Sequence, residues 1–112
     1  MTKEIQNING VPTLMLQAVT DIEGMELVDV RRPEEFNGEL GHIDGAVLVT
    51  LGPDLESFIA KMDKSKTVLF ICRSGMRSAN ATMFAKQLGF EKVYNMNGGM
   101  MLWNQLGFPT KS

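Results

Sequence analysis

The chain has 112 residues, 44% hydrophobic and 21% charged, with 11 basic against 13 acidic side chains and a net charge of -2. That is the length of one domain, residues 1–112, with apolar content for a core and no basic field to hold nucleic acid or an anionic membrane. One cysteine, Cys72, and one histidine, His42, exclude an internal disulfide and are too few for a zinc site, so no metal or organic cofactor is expected.

Met1 to Asn7 is polar, with no apolar targeting core. No run approaches the ~20 apolar residues of a spanning helix, and the expected compartment is the cytoplasm. Ile5-Gln6-Asn7-Ile8 reads as a weak strand at a sheet edge. Pro12 to Val19 carries Leu14, Met15, Ala18 and Val19 as an apolar stripe and is predicted helical. Glu26–Val30, Ala46–Val49 and Thr67–Ile71 are short, rich in β-branched residues and apolar on both faces. This is the pattern of parallel strands covered on both sides. Pro53 to Met62 is predicted helical, with Pro53 in its first turn and Leu55, Phe58, Ile59 and Met62 on one face. Arg77 to Leu88 repeats the pattern with Ala81, Phe84, Ala85 and Leu88, stopped by Gly89 with Phe90 folding back. Lys92–Met96 is a further strand, and Met100 to Leu106 a last helix ended by Gly107 and Pro109. Strands alternating with helices predict an α/β domain of three layers around one parallel sheet. The nine methionines serve as core gap-fillers, or else as an adaptable apolar surface.

The chemistry concentrates between the third buried strand and the helix after it, in Cys72-Arg73-Ser74-Gly75-Met76-Arg77. Ligands of open α/β sheets bind outside the carboxyl ends of strands. A short turn there can aim successive amides inward as an anion nest, and the helix N-terminus adds unpaired N–H groups. Gly75 allows a positive φ. Arg73 and Arg77 add full positive charge. All of these favour an anionic sulfur, so Cys72 is predicted to be a thiolate nucleophile rather than an inert core cysteine. Such a thiolate can attack phosphorus or sulfur. Cysteine phosphatases place one more residue between the cysteine and the arginine, where this chain has Ser78. The smaller ring fits a single sulfur atom better than a phosphoryl group.

Three segments carry a resemblance to the single-domain rhodanese (thiosulfate sulfurtransferase) homology family. They are Leu27-Val28-Asp29-Val30-Arg31-Arg32-Pro33-Glu34-Glu35-Phe36 with Gly41-His42-Ile43-Asp44-Gly45-Ala46; the loop from Cys72 to Ser78; and Asn97-Gly98-Gly99-Met100-Met101-Leu102-Trp103 with Gly107-Phe108-Pro109. The resemblance implies a five-stranded parallel sheet flanked by helices. It also implies transfer of a sulfane sulfur, through a Cys72 persulfide, from thiosulfate or a persulfide to cyanide or a thiol, a protein thiol included. Arg73 and Arg77 would hold the anionic donor, and the amides of Arg73, Ser74, Gly75, Met76 and Arg77 would stabilise the persulfide. Family members with the longer loop are phosphatases, and members without the cysteine are interaction modules. The alternatives are therefore a small phosphatase or arsenate reductase, and a persulfide carrier with little turnover. Around the loop, Asp29 either orients a loop arginine or caps a turn. Arg31 is expected to pair with Glu35 or Asp44 as scaffold rather than to touch substrate. His42 is expected to fix a turn, Trp103 to fill the core, Gly98 and Gly99 to turn tightly near the pocket, and Met76 to make its rim apolar.

Overall fold

In the computed structural model, which describes residues 4–16 and 22–112, the predicted strands assemble into one sheet with helices on both faces. The run Ala46–Val49, expected to be covered on both sides, forms only a two-residue strand at the sheet edge, with Val47 exposed. In chain order the elements are β1 (Ile5–Ile8), β2 (Val11–Leu14), β3 (Glu26–Asp29), α1 (Pro33–Phe36), β4 (Val47–Leu48), α2 (Pro53–Lys61), β5 (Val68–Ile71), α3 (Met76–Gln87), β6 (Val93–Met96) and α4 (Gly99–Gln105). The sheet order is β1-β2-β6-β5-β3-β4, with every pair parallel except β1 with β2.

The expected five parallel strands are present, but the fifth is not the one predicted. Val11–Leu14 is strand β2, not the first turn of a helix; the rest of that predicted helix, Gln17 to Val19, lies outside the described residues. The reason is local. Asn9 at φ 53° and Gly10 at φ 86° form a two-residue turn of the type that closes hairpins, with Asn7 Oδ1 accepting the Gly10 amide at 2.8 Å. The chain therefore doubles back, and Ile5–Ile8 becomes a sixth, antiparallel edge strand. Pro12 is tolerated because it pairs with Asn7 next to the turn-closing Ile8–Val11 pair, a position where the hairpin needs no donor. Pairing of β2 with β6 begins only at Thr13.

β5 is central, and all four of its residues are buried. Val68, Phe70 and Cys72 face one core with Val28, Val30, Leu55, Ile59, Ala81, Ala85 and Val93. Leu69 and Ile71 face the other with Leu14, Leu27, Met96, Met100 and Trp103. Each such large side chain taken from water contributes about 1.5–3 kcal/mol. Leu55 and Ile59 bury the predicted face of α2. The buried stripe of α3 is small: Ser78, Ala81, Thr82 and Ala85. Small side chains let the helix lie close on β5 and β6, which brings its first turn down onto the end of β5. The stop at Gly89 is as predicted, with the Phe90 amide bonded to Ala85 at 3.2 Å. Met25, Met96 and Met100 fill core positions, whereas Met76 and Met101 are exposed.

Candidate active site

Cys72 follows the last residue of β5 and is 1% exposed. The alternation along β5 turns its side chain to the α3 side of the sheet. Residues 73–75 bend the chain, and Gly75, at φ 108°, stands as the residue before α3. The Gly75 amide donates to Cys72 Sγ at 3.0 Å, and the left-handed φ of Gly75 turns the chain from the loop into α3. Of the five amides expected around the sulfur, this is the one that the structure bonds to it. The amides of Met76, Arg77 and Ser78 open α3, where no helical carbonyl can accept them.

A second donor was not foreseen. Ser78 Oγ lies 3.2 Å from Cys72 Sγ and also bonds Asn95 Oδ1. Asn95 Nδ2 donates to the Gly75 carbonyl at 3.0 Å, which turns its oxygen toward Ser78. A hydroxyl has one proton to give. With that proton on Asn95, Ser78 presents lone pairs that can receive a thiol proton; with the sulfur ionised, the hydroxyl can donate to it instead. Ser78 was readable in principle, because a side chain in the first turn of a helix leans back over its N-terminus. Asn95 was not: it reaches the site through the pairing of Asn95 with Phe70, a register fixed only by the fold.

The loop is held from behind by α4. Met100 donates its amide to the Cys72 carbonyl at 2.8 Å and Met101 to that of Arg73 at 3.0 Å. These are orphan amides of the first turn of α4, used as clamps. A Cβ on Gly99 would sit 2.5 Å from the carbonyl carbon and oxygen of Arg73 and 2.6 Å from the Cys72 oxygen, so only glycine fits. The expected tight turn at Gly98 and Gly99 is thus a close approach to the loop backbone.

The arginines divide. Arg73 is exposed and lines a cleft of about 250 Å³ with Arg31, Glu34, Glu35 and Glu39. Arg77 is bound by Glu35, Nη1 to Oε1 and Nη2 to Oε2, both at 2.8 Å. Those hydrogen bonds hold the Glu35 carboxyl at about 2, and they raise Arg77, whose charge also lies in the field of Cys72 and Asp29. Asp29 orients neither loop arginine. Its carboxylate takes Arg31 Nε at 2.9 Å, Nη2 at 2.7 Å and the Arg31 amide at 3.1 Å, with both residues buried. Arg31 is therefore paired with Asp29 rather than with the Glu35 or Asp44 carboxylate, and it meets Glu35 only at its carbonyl, 3.2 Å away.

His42 gives its Nδ1 proton to the Phe36 carbonyl at 2.9 Å and stacks on the Phe36 ring at 3.7 Å, in line with a turn-fixing role. Trp103 is core, its Nε1 donating to the Pro109 carbonyl. Met76 is 78% exposed, and with Ile8, Val11, Ser74, Gly75 and Asn95 it lines a second cleft, of about 350 Å³, on the hairpin side of the loop. Among the described residues, no group of three or more His, Cys, Asp or Glu side chains could hold a metal ion, and no helix is long and apolar enough to cross a membrane.

A cysteine at the end of a central parallel strand, facing a helix N-terminus and backed by a double-glycine turn, defines a class. The chain belongs to the rhodanese-like domain family, whose model matches residues 13–106. It is 43% identical over 81 residues to YtwF of Bacillus subtilis, covering 72% of this chain and 75% of that one. It is 32% identical over 90 residues to the thiosulfate sulfurtransferase GlpE of Shewanella oneidensis, covering 80% of this chain and 86% of the relative. A solved structure described as rhodanese with anions from E. coli matches with a TM-score of 0.61 at 29% identity, covering 79% of this chain and 99% of that one.

Proposed function

We propose that residues 1–112 form one domain that works in the cytoplasm as a sulfurtransferase, carrying a sulfane sulfur as a persulfide on Cys72. The observation that carries this reading is the sulfur's own environment: Sγ receives the Gly75 amide and lies in reach of the Ser78 hydroxyl, at the open N-terminus of α3. Donors aimed at the sulfur are placed to hold the charge of a sulfur anion bound there.

In the first half-reaction Cys72 Sγ attacks the outer sulfur of the donor. With thiosulfate, the Cys72 S–S bond forms, the S–S bond of thiosulfate breaks, and sulfite leaves with the bonding pair. Arg73, exposed beside the loop, attracts the anionic donor and the departing sulfite. The amides opening α3 receive the new terminal sulfur, which carries the negative charge. In the second half-reaction a thiolate or cyanide attacks that terminal sulfur and Cys72 leaves as thiolate. The donor and acceptor are small molecules, the acceptor extending to a protein thiol; no nucleic acid, membrane, metal or organic cofactor takes part. With Cys72 the only cysteine, no internal thiol can discharge the intermediate as a disulfide, so it persists until an acceptor arrives.

Incubation with thiosulfate followed by donor removal is expected to leave a gain of one sulfur atom on Cys72 by intact-protein mass spectrometry. Cyanide should remove it as thiocyanate, and Cys72→Ser should not acquire it. Hydrolysis of p-nitrophenyl phosphate without any sulfur adduct would replace this reading with the phosphatase one. Neither reaction would leave an interaction module.

A further inference from the structure

Arg77 is a loop cation whose charge is already taken. Arg77 donates two parallel hydrogen bonds to the Glu35 carboxylate, the geometry with which an arginine grips a bidentate oxyanion. Glu35 is not a loose surface residue that swings in by chance. Its Oε1 also accepts the Arg32 amide at 3.1 Å, and its carbonyl is held by Arg31, itself locked to buried Asp29. The carboxylate is thus set on an anchored turn. The charge around it points the same way. Arg31 is neutralised by Asp29 and Arg77 by Glu35, which leaves Arg73 with Glu34 and Glu39 as the remaining charges lining its cleft. A dianion that approaches from this cleft meets a lining that is negative on balance, and it must displace Glu35 to reach the second arginine.

We infer that Glu35 determines the donor class of this site: by occupying Arg77, it makes a persulfide, which has no oxyanion group for an arginine to grip, a better donor than the dianion thiosulfate. This rests on the sulfur-transfer reading above. With such a donor, R–S–SH, Cys72 thiolate attacks the sulfane sulfur, the donor S–S bond breaks, and R–S⁻ leaves. Cys72 then carries the persulfide, and the sulfhydryl proton stays with the transferred sulfur or passes to R–S⁻. No oxidant or reductant is consumed. No leaving sulfite has to be held, so nothing is lost by keeping Arg77 engaged.

The test is kcat/KM for loading of the full chain with thiosulfate and with cysteine persulfide, read as the Cys72 adduct, in wild type, Glu35→Gln and Glu39→Gln. Gln keeps an acceptor for the Arg32 amide and gives up the charge. The thiosulfate-to-persulfide ratio is expected to rise about tenfold in Glu35→Gln, the worth of one charge-assisted contact. In Glu39→Gln it should rise less, by an amount that added salt erases. A general weakening of the fold would lower both rates together and leave the ratio where it was. An unchanged or lower ratio in both variants overturns the inference while leaving sulfur transfer in place. Failure of both donors to load the wild type overturns the sulfur-transfer reading, and the inference with it.

Discussion

A single side chain separates a cysteine that is merely buried from one that is placed to react. Cys72 is as buried as its core neighbours Phe70 and Ile71, and burial alone opposes charge on sulfur. What distinguishes it is the pair of donors on Sγ, one of them Ser78, which is itself 0% exposed. Ser78→Ala keeps the small volume that α3 needs against the sheet and removes only the hydroxyl. A hydrogen bond to a charged group contributes about 1.5–3 kcal/mol. Sulfur loading of Cys72 in Ser78→Ala is therefore expected to slow by roughly ten- to a hundredfold, with the protein still folded by circular dichroism. A loading rate equal to wild type would mean that Ser78 serves Asn95 alone.

At the scale of elements, the Cys72 loop is shaped as much by α4 as by its own residues. The amides of Met100 and Met101 fix the carbonyls of Cys72 and Arg73, and the fit is so close that Gly99 has no room for a methyl group. Gly99→Ala faces backbone atoms, which cannot rotate out of the way as a side-chain tip could, and it must also adopt φ +60°. The expected cost is about 2 kcal/mol or more, read as a lower denaturant midpoint, together with loss of sulfur loading as the loop shifts. Wild-type loading in Gly99→Ala would show that α4 only borders the site. The elements also show what was legible in the residues. Runs apolar on both faces placed β3 and β5 correctly, because burial on both sides leaves the same mark in any parallel sheet. The third such run, Ala46–Val49, holds β4, an edge strand with Val47 exposed, and the predicted strand Lys92–Met96 holds β6. The expected helix fails at its start, where Pro12, Thr13 and Leu14 are strand; Ala18 and Val19 of its stripe lie outside the described residues. The nearby Asn9-Gly10 turn, which fixes the direction of the chain, was the stronger signal and was not read. The loop itself was legible, since Cys72, Gly75 and the first turn of α3 are contiguous in the chain. Ser78 with Asn95 and Glu35 with Arg77 were not, because those contacts span 17 and 42 residues of sequence and exist only once the sheet is ordered.

At the scale of the molecule, a buried ion pair that borders the site ties the sheet to the loop's neighbours. Asp29 ends β3, the strand beside β5, and Arg31 reaches from it to the carbonyls of Glu35 at 3.2 Å and Gly41 at 2.8 Å. Arg31 is 1% exposed and Asp29 0%. The pair therefore ties the sheet to the segment that presents Glu35 to the loop, which makes it scaffold in the proposed reading. Breaking a buried pair leaves a charge without its partner and costs about 3–5 kcal/mol. Arg31→Met is expected to lower the melting temperature by roughly 10–20 °C. Adding Asp29→Leu in the same chain should recover part of that loss, because no orphan carboxylate remains, but not all of it, because the Glu35 and Gly41 carbonyls still lack their donor. Measured at a temperature where both variants are folded, sulfur loading from cysteine persulfide should fall far less than the melting temperature suggests, since no atom of Arg31 bonds the sulfur or its donors. The opposite result, wild-type melting with thiosulfate loading abolished in Arg31→Met, would move Arg31 from the scaffold to the substrate and place the donor on the Arg73 side of the loop.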